Sequence, residues 1–189
     1  IGIIVMAISV LPMLKVGGMQ LFRMESSDQI NKAFPRAAQI ATAISLIYLL
    51  LTGIWTTIYW FFGMTGFEAI THAMTTIATG GFSTSDASIG HFNSAAIEAT
   101  ATLGMIIGAL PFLLFLKAVQ GDYKALFFDS QVQWFLTMVL VIVLLTASCL
   151  WLSNQIHPLQ ALQLASFNIV SIITGTGYVT DDYSTWGSF

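Results

Sequence analysis

Apolar residues run almost unbroken through three long stretches, Ala37 to Phe62, Ala95 to Leu116 and Trp134 to Leu152. Each is close to or above the ~20 residues that a helix needs to cross a hydrocarbon core. Ile1 to Leu14 reads as the remaining part of a fourth such stretch, so the chain reads as an internal piece of a longer protein. Between the long stretches lie two shorter apolar pieces, Gly66 to Ala78 and Pro158 to Ile173. As a helix the first rises only ~20 Å, short of the ~30 Å core. Such a piece is expected to enter and turn back, and its backbone survives at membrane depth only when protein or a watery cavity surrounds it.

Each short piece leads into a glycine-containing segment, and the two segments match without gaps. Thr75 to Asp86 and Ser171 to Asp182 share Ile77 with Ile173, Gly81 with Gly177, Thr84 with Thr180 and Asp86 with Asp182. They agree in character at Thr75/Ser171 and Phe82/Tyr178. The chain therefore carries an internal repeat of span, short helix, extended glycine segment and span. An ion leaving water needs oxygen ligands in place of its hydration shell, and backbone carbonyls in an extended segment supply them. Glycine opens the dihedrals such a backbone needs and keeps side chains out of a narrow lumen.

Composition sets the solvent. With 56% hydrophobic and 8% charged residues, the chain cannot bury its apolar groups in a soluble globule of its size, so it belongs in a lipid bilayer. The six basic residues fall in two places, Lys15, Arg23, Lys32 and Arg36, then Lys117 and Lys124. By the positive-inside rule the connections 15–36 and 117–133 are cytoplasmic, and both short hairpins dip in from the outside. Tyr59 to Phe62, Trp151 and Trp134 stand where interfacial aromatics belong. Pro111 predicts a kink or local break in the third stretch. Gly104 and Gly108 predict close helix contact. Cys149 is the single cysteine, so no intrachain disulfide forms.

Ala78-Thr79-Gly80-Gly81-Phe82-Ser83-Thr84 and Thr174-Gly175-Thr176-Gly177-Tyr178, with Gly2-Ile3-Ile4-Val5 and Leu11-Pro12-Met13-Leu14, resemble the Trk/Ktr/HKT superfamily of potassium transporters, nearest its bacterial TrkH branch. The resemblance implies an all-α integral membrane fold of repeated span, re-entrant pore helix, filter loop and span, like a potassium channel pore. On that reading 1–14 closes a preceding unit and 37–116 is a complete unit, with pore helix 66–78 and filter 79–82. Residues 134–189 open the next unit, with pore helix 158–173 and filter 174–178. Matched residue by residue, the filter glycines are Gly81 and Gly177. The implied potassium ligands are the carbonyls of Thr79, Gly80, Gly81, Gly175, Thr176 and Gly177. The implied activity is potassium uptake across the bacterial inner membrane, with rubidium also permeant and no covalent cofactor. Implied partners are a second copy in a homodimer and a cytosolic TrkA-like nucleotide-binding ring, with no nucleic acid. Ser83 and Val179 stand where a channel's T-V-G-Y-G carries its second glycine, which points to a simpler filter.

Asp86, Asp181 and Asp182 lie on the outer side with no basic residue among them, so the mouth is expected to concentrate cations. Glu98, inside the third stretch, calls for a partner or a watery neighbour. The rival readings are a membrane-embedded enzyme and another kind of cation channel subunit. Glu68 and His72 share a helical face, and His91 and His157 lie on the same side, but no H-E-x-x-H or comparable cluster is present. Ser83 has no base at a suggestive spacing.

Overall fold

A computed structural model of the protein describes residues 37–154 and 156–181, and the described residues are helical with no strand. The expected closing span 1–14, the connection 15–36 and Asp182 lie outside the described residues. The chain divides into two compact units, Ile1–Leu50 and Leu51–Phe189, and the packing around the glycine segments lies within the second.

Seven helices follow in order among the described residues: α1 (Ala37–Phe61), α2 (Gly66–Ile77), α3 (Ala95–Ala109), α4 (Phe112–Val119), α5 (Lys124–Phe128), α6 (Ser130–Asn154) and α7 (Pro158–Ile173). Thr42–Phe61 of α1 and Ser130–Ser153 of α6 are long and apolar enough to cross a membrane. Their lipid-compatible surfaces show in exposed Leu46, Leu49, Leu140 and Leu145. α2, with 12 residues, rises ~18 Å and cannot span.

The third apolar stretch is broken, with α3 and α4 meeting at 89°. Pro111 cannot donate to the preceding turn, and it pushes Leu110 into an extended conformation (φ −71°, ψ 149°). The continuous span expected over 95–116 is thus two helices joined at a corner.

Each short helix is started by its own sequence. Thr65 caps α2 in a reciprocal box: its hydroxyl accepts from the Glu68 N–H, and the Glu68 carboxylate accepts from the Thr65 N–H at 2.9 Å. Those bonds from Thr65 hold the Glu68 carboxyl below its usual range. His157 caps α7 ahead of Pro158, whose missing N–H costs nothing at the first helical position.

α7 packs on α6 and α3, and α2 packs on α3. The close approach expected of Gly104 and Gly108 is present: a Cβ at Gly104 would meet the Trp55 ring and Thr76, and one at Gly108 would lie 2.6 Å from the Ile77 carbonyl oxygen. Trp55 fixes this contact by donating its indole N–H to the Thr100 carbonyl at 2.9 Å.

Candidate functional site: two matched glycine segments

The same hydrogen bonds recur in both hairpins, residue for residue. Leaving α2, Ala78 N–H donates to Met74 O (3.0 Å), Thr79 N–H to Thr76 O (3.0 Å) and Gly80 N–H to Thr75 O (2.7 Å). Leaving α7, Thr174 N–H donates to Val170 O (2.9 Å), Gly175 N–H to Ile172 O (3.0 Å) and Thr176 N–H to Ser171 O (2.9 Å). The Thr75 hydroxyl then donates to the Phe82 carbonyl at 2.9 Å, and the Ser171 hydroxyl to the Tyr178 carbonyl at 2.7 Å. A helix hydroxyl thus ties down the far end of each segment. The sequence signal was the shared hydroxyl at Thr75 and Ser171.

Backbone handedness repeats as well. φ is positive at Thr79 (50°) and Gly81 (66°), and at Gly175 (71°) and Gly177 (86°), while the residues between them are not left-handed. Alternating hands gather successive N–H groups on one side and send carbonyls to the other. Here the N–H groups of Thr79, Gly80, Gly175, Thr176 and Gly177 turn back onto their own helices. Among the described residues, no hydrogen bond ends on the carbonyls of Thr79, Gly80, Gly81, Gly175, Thr176 or Gly177.

The two segments touch. A Cβ at Gly81 would fall on the Thr176 carbonyl oxygen, whereas one at Gly177 has nothing within 4 Å among the described residues. The structure therefore brings Gly81 and Thr176 together. Asp86 lies exposed in the loop beyond Phe82, and Asp181 is half-buried beyond Tyr178.

The hairpins also interlock through side chains, in a way that sequence reading did not reveal. Tyr178 is buried, and its hydroxyl meets the Thr75 and Thr76 hydroxyls and donates to the His72 carbonyl at 3.2 Å. Tyr59 of α1 closes the cluster with a 2.8 Å bond to Thr76. Phe82, the counterpart of Tyr178, is 77% exposed. Behind the first segment, His72 is fully buried between the Phe92 and Tyr178 rings. Its Nδ1 lies 2.8 Å from Glu68 O and its Nε2 lies 3.0 Å from the Ser83 hydroxyl. The paired stretches also meet beyond the aromatics, where Gly90 N–H donates to Val179 O and Val179 N–H donates to the Ser88 hydroxyl, both at 3.2 Å.

Glu98 is buried and accepts a 2.8 Å bond from the Gln163 amide of α7, which supplies the partner its position called for. Among the described residues no three His, Cys, Asp or Glu side chains converge as a metal site.

A family model described as TrkH, cation transport protein, matches residues 1–189. The chain is 45% identical over 190 residues to the Trk system potassium uptake protein TrkI of Halomonas elongata, covering all of this chain and 38% of that protein. It is 38% identical over 192 residues to the Trk system potassium uptake protein TrkH of Escherichia coli, covering 100% of this chain and 40% of that one. Its structure matches the crystal structure of the potassium transporter TrkH from Vibrio parahaemolyticus with a TM-score of 0.81 at 35% identity, over 98% of this chain and 38% of that chain. The chain thus spans about two fifths of the length of these relatives. It belongs to the TrkH family of cation transport proteins.

Proposed function

We propose that this chain supplies two adjacent sides of a potassium pathway through a bacterial inner membrane, within a protein that takes up potassium. The observation that carries the reading is the set of carbonyls on 79–81 and 175–177: two matched segments in contact, with five of their six N–H groups turned onto their own helices and no donor to these six oxygens among the described residues. A dehydrated cation needs such oxygens, and a column of them is how filters replace hydration. The ligands are then Thr79, Gly80, Gly81, Gly175, Thr176 and Gly177 through their carbonyls. The C-terminal ends of α2 and α7 add partial negative charge at the same place.

α2 and α7 are the re-entrant helices on this reading. Both enter from the periplasmic side, because Lys117 and Lys124 mark the cytoplasmic one. Asp86, Asp181 and Asp182 form an outer field that gathers cations. Four such units around one pore give Phe82 a neighbour: as Tyr178 seats on α2, Phe82 seats on the short helix of the preceding unit. A homodimer and a cytosolic TrkA-like nucleotide-binding ring complete the assembly. The Trk system names of the relatives support potassium as the ion.

The test is rubidium or potassium flux through the full-length protein in liposomes, with sodium as competitor. Selective, protein-dependent flux is expected. Liposomes that hold folded protein and stay tight to both ions overturn the proposal.

A further inference from the structure

α2 and α7 carry a buried polar side chain at the same register, His72 in one and Asn168 in the other. Each ties to the carbonyl one turn back, His72 Nδ1 to Glu68 O at 2.8 Å and Asn168 Nδ2 to Leu164 O at 3.0 Å. Each then reaches a hydroxyl on the stretch beyond the aromatic, Ser83 at 3.0 Å in the first hairpin and Thr180, one place further along, at 3.1 Å in the second. The two side chains do one job with different chemistry. An amide keeps its donors and acceptor at every ordinary pH, whereas an imidazole exchanges an acceptor for a donor when it takes a proton.

The tautomer of His72 follows from its partners. A carbonyl oxygen only accepts, so Nδ1 carries the hydrogen toward Glu68 O, and the bare Nε2 accepts from the Ser83 hydroxyl. Ser83 Oγ in turn accepts from the Ser85 N–H at 3.2 Å. A proton arriving from the outer solution takes the Nε2 lone pair, and the contact turns round, with Nε2–H donating to the Ser83 hydroxyl as the Asn168 amide donates to Thr180. The proton also places a positive charge behind the segment through which a cation is to pass. The titratable groups around the ring are Glu68 on its own helix, His91 beside Phe92 on the short 3₁₀ helix Ser88–Phe92, and Tyr178 from the second hairpin. The Glu68 carboxylate is engaged by Thr65, with bonds at 2.7 and 2.9 Å.

We propose that His72 is a positioning residue that braces the first glycine segment through Ser83, and that protonation of its Nε2 from the outside turns cation passage down. This rests on the potassium pathway proposed above. It confers acid sensitivity on the first hairpin alone, since Asn168 does not titrate.

The experiment measures rubidium flux through the full-length protein in liposomes as outer pH is lowered from about 7.5 to about 5. Desolvation by burial holds the His72 imidazole below its usual range, so flux should fall severalfold toward the acid end of that interval. H72N, which places the second hairpin's own solution in the first, should carry flux at neutral pH and lose the acid step. H72A should lower the rubidium-to-sodium ratio at neutral pH. S83A should lower that ratio as well, and H72Q, neutral like H72N, carries the pH test if H72N does not reach the membrane. A wild-type profile that is flat, or an acid step that survives in H72N or H72Q, overturns the inference while leaving the pathway standing. Absence of any flux in the wild type defeats the pathway instead.

Discussion

Gly81→Ser is the sharpest perturbation the geometry offers. Gly81 has φ 66°, and an L-residue there pays about 1–2 kcal/mol for the left-handed conformation. Its Cβ would also fall on the Thr176 carbonyl oxygen, a backbone atom with no free rotor, so one of the two segments has to move. If that displacement costs potassium the same 1–2 kcal/mol of preferred coordination, the potassium-to-sodium flux ratio drops roughly 5–30-fold. Gly177→Ser carries the backbone penalty at φ 86° but meets nothing within 4 Å among the described residues, so it should lower the ratio less. Gly53→Ser, on an exposed helical position with open space around it, should leave the ratio unchanged. The assay is competitive rubidium and sodium flux in liposomes, normalised to protein reconstituted. Well-incorporated Gly81→Ser with a wild-type ratio would falsify the placement of these segments on the ion path.

Two further outcomes follow from features of the same region. Tyr178→Phe removes the hydroxyl from a buried cluster of Thr75, Thr76 and the His72 carbonyl, so thermal unfolding in detergent should show a loss of about 1–3 kcal/mol; an unchanged melting curve would mean the hydroxyl contributes nothing. Replacing Asp86, Asp181 and Asp182 together with Asn should reduce uptake at low ionic strength and approach wild type above ~0.1 M salt, where the Debye length is ~10 Å. An equal deficit at every salt concentration would rule out long-range attraction as their role.

Long apolar runs were legible because length and hydropathy alone demand α1 and α6. The matched register of the two hairpins was legible too, because glycines, hydroxyls and aromatics recur in order. Pro111 marked where the third stretch would break, yet not the 89° corner, which depends on what α3 and α4 pack against. The left-handed conformation of Thr79 was hidden, since a β-branched residue is a poor occupant of that region and only its counterpart, Gly175, advertises it. The equivalence of His72 and Asn168 was hidden for another reason: the two residues look unrelated until both are placed one turn above a carbonyl and opposite a hydroxyl. No local pattern announces that Tyr178 seats on the first hairpin, because that contact joins residues 102 positions apart.

The seat of Tyr178 is made by Tyr59, His72, Thr75 and Thr76, all of which precede it in the chain. At a synthesis rate of about 5–20 residues per second, those residues leave the ribosome roughly 5–20 seconds before the tyrosine does. Every residue that seats the second hairpin's aromatic is therefore already synthesised when that aromatic emerges. Order along the chain thus matches the order in which seat and aromatic become available to one another.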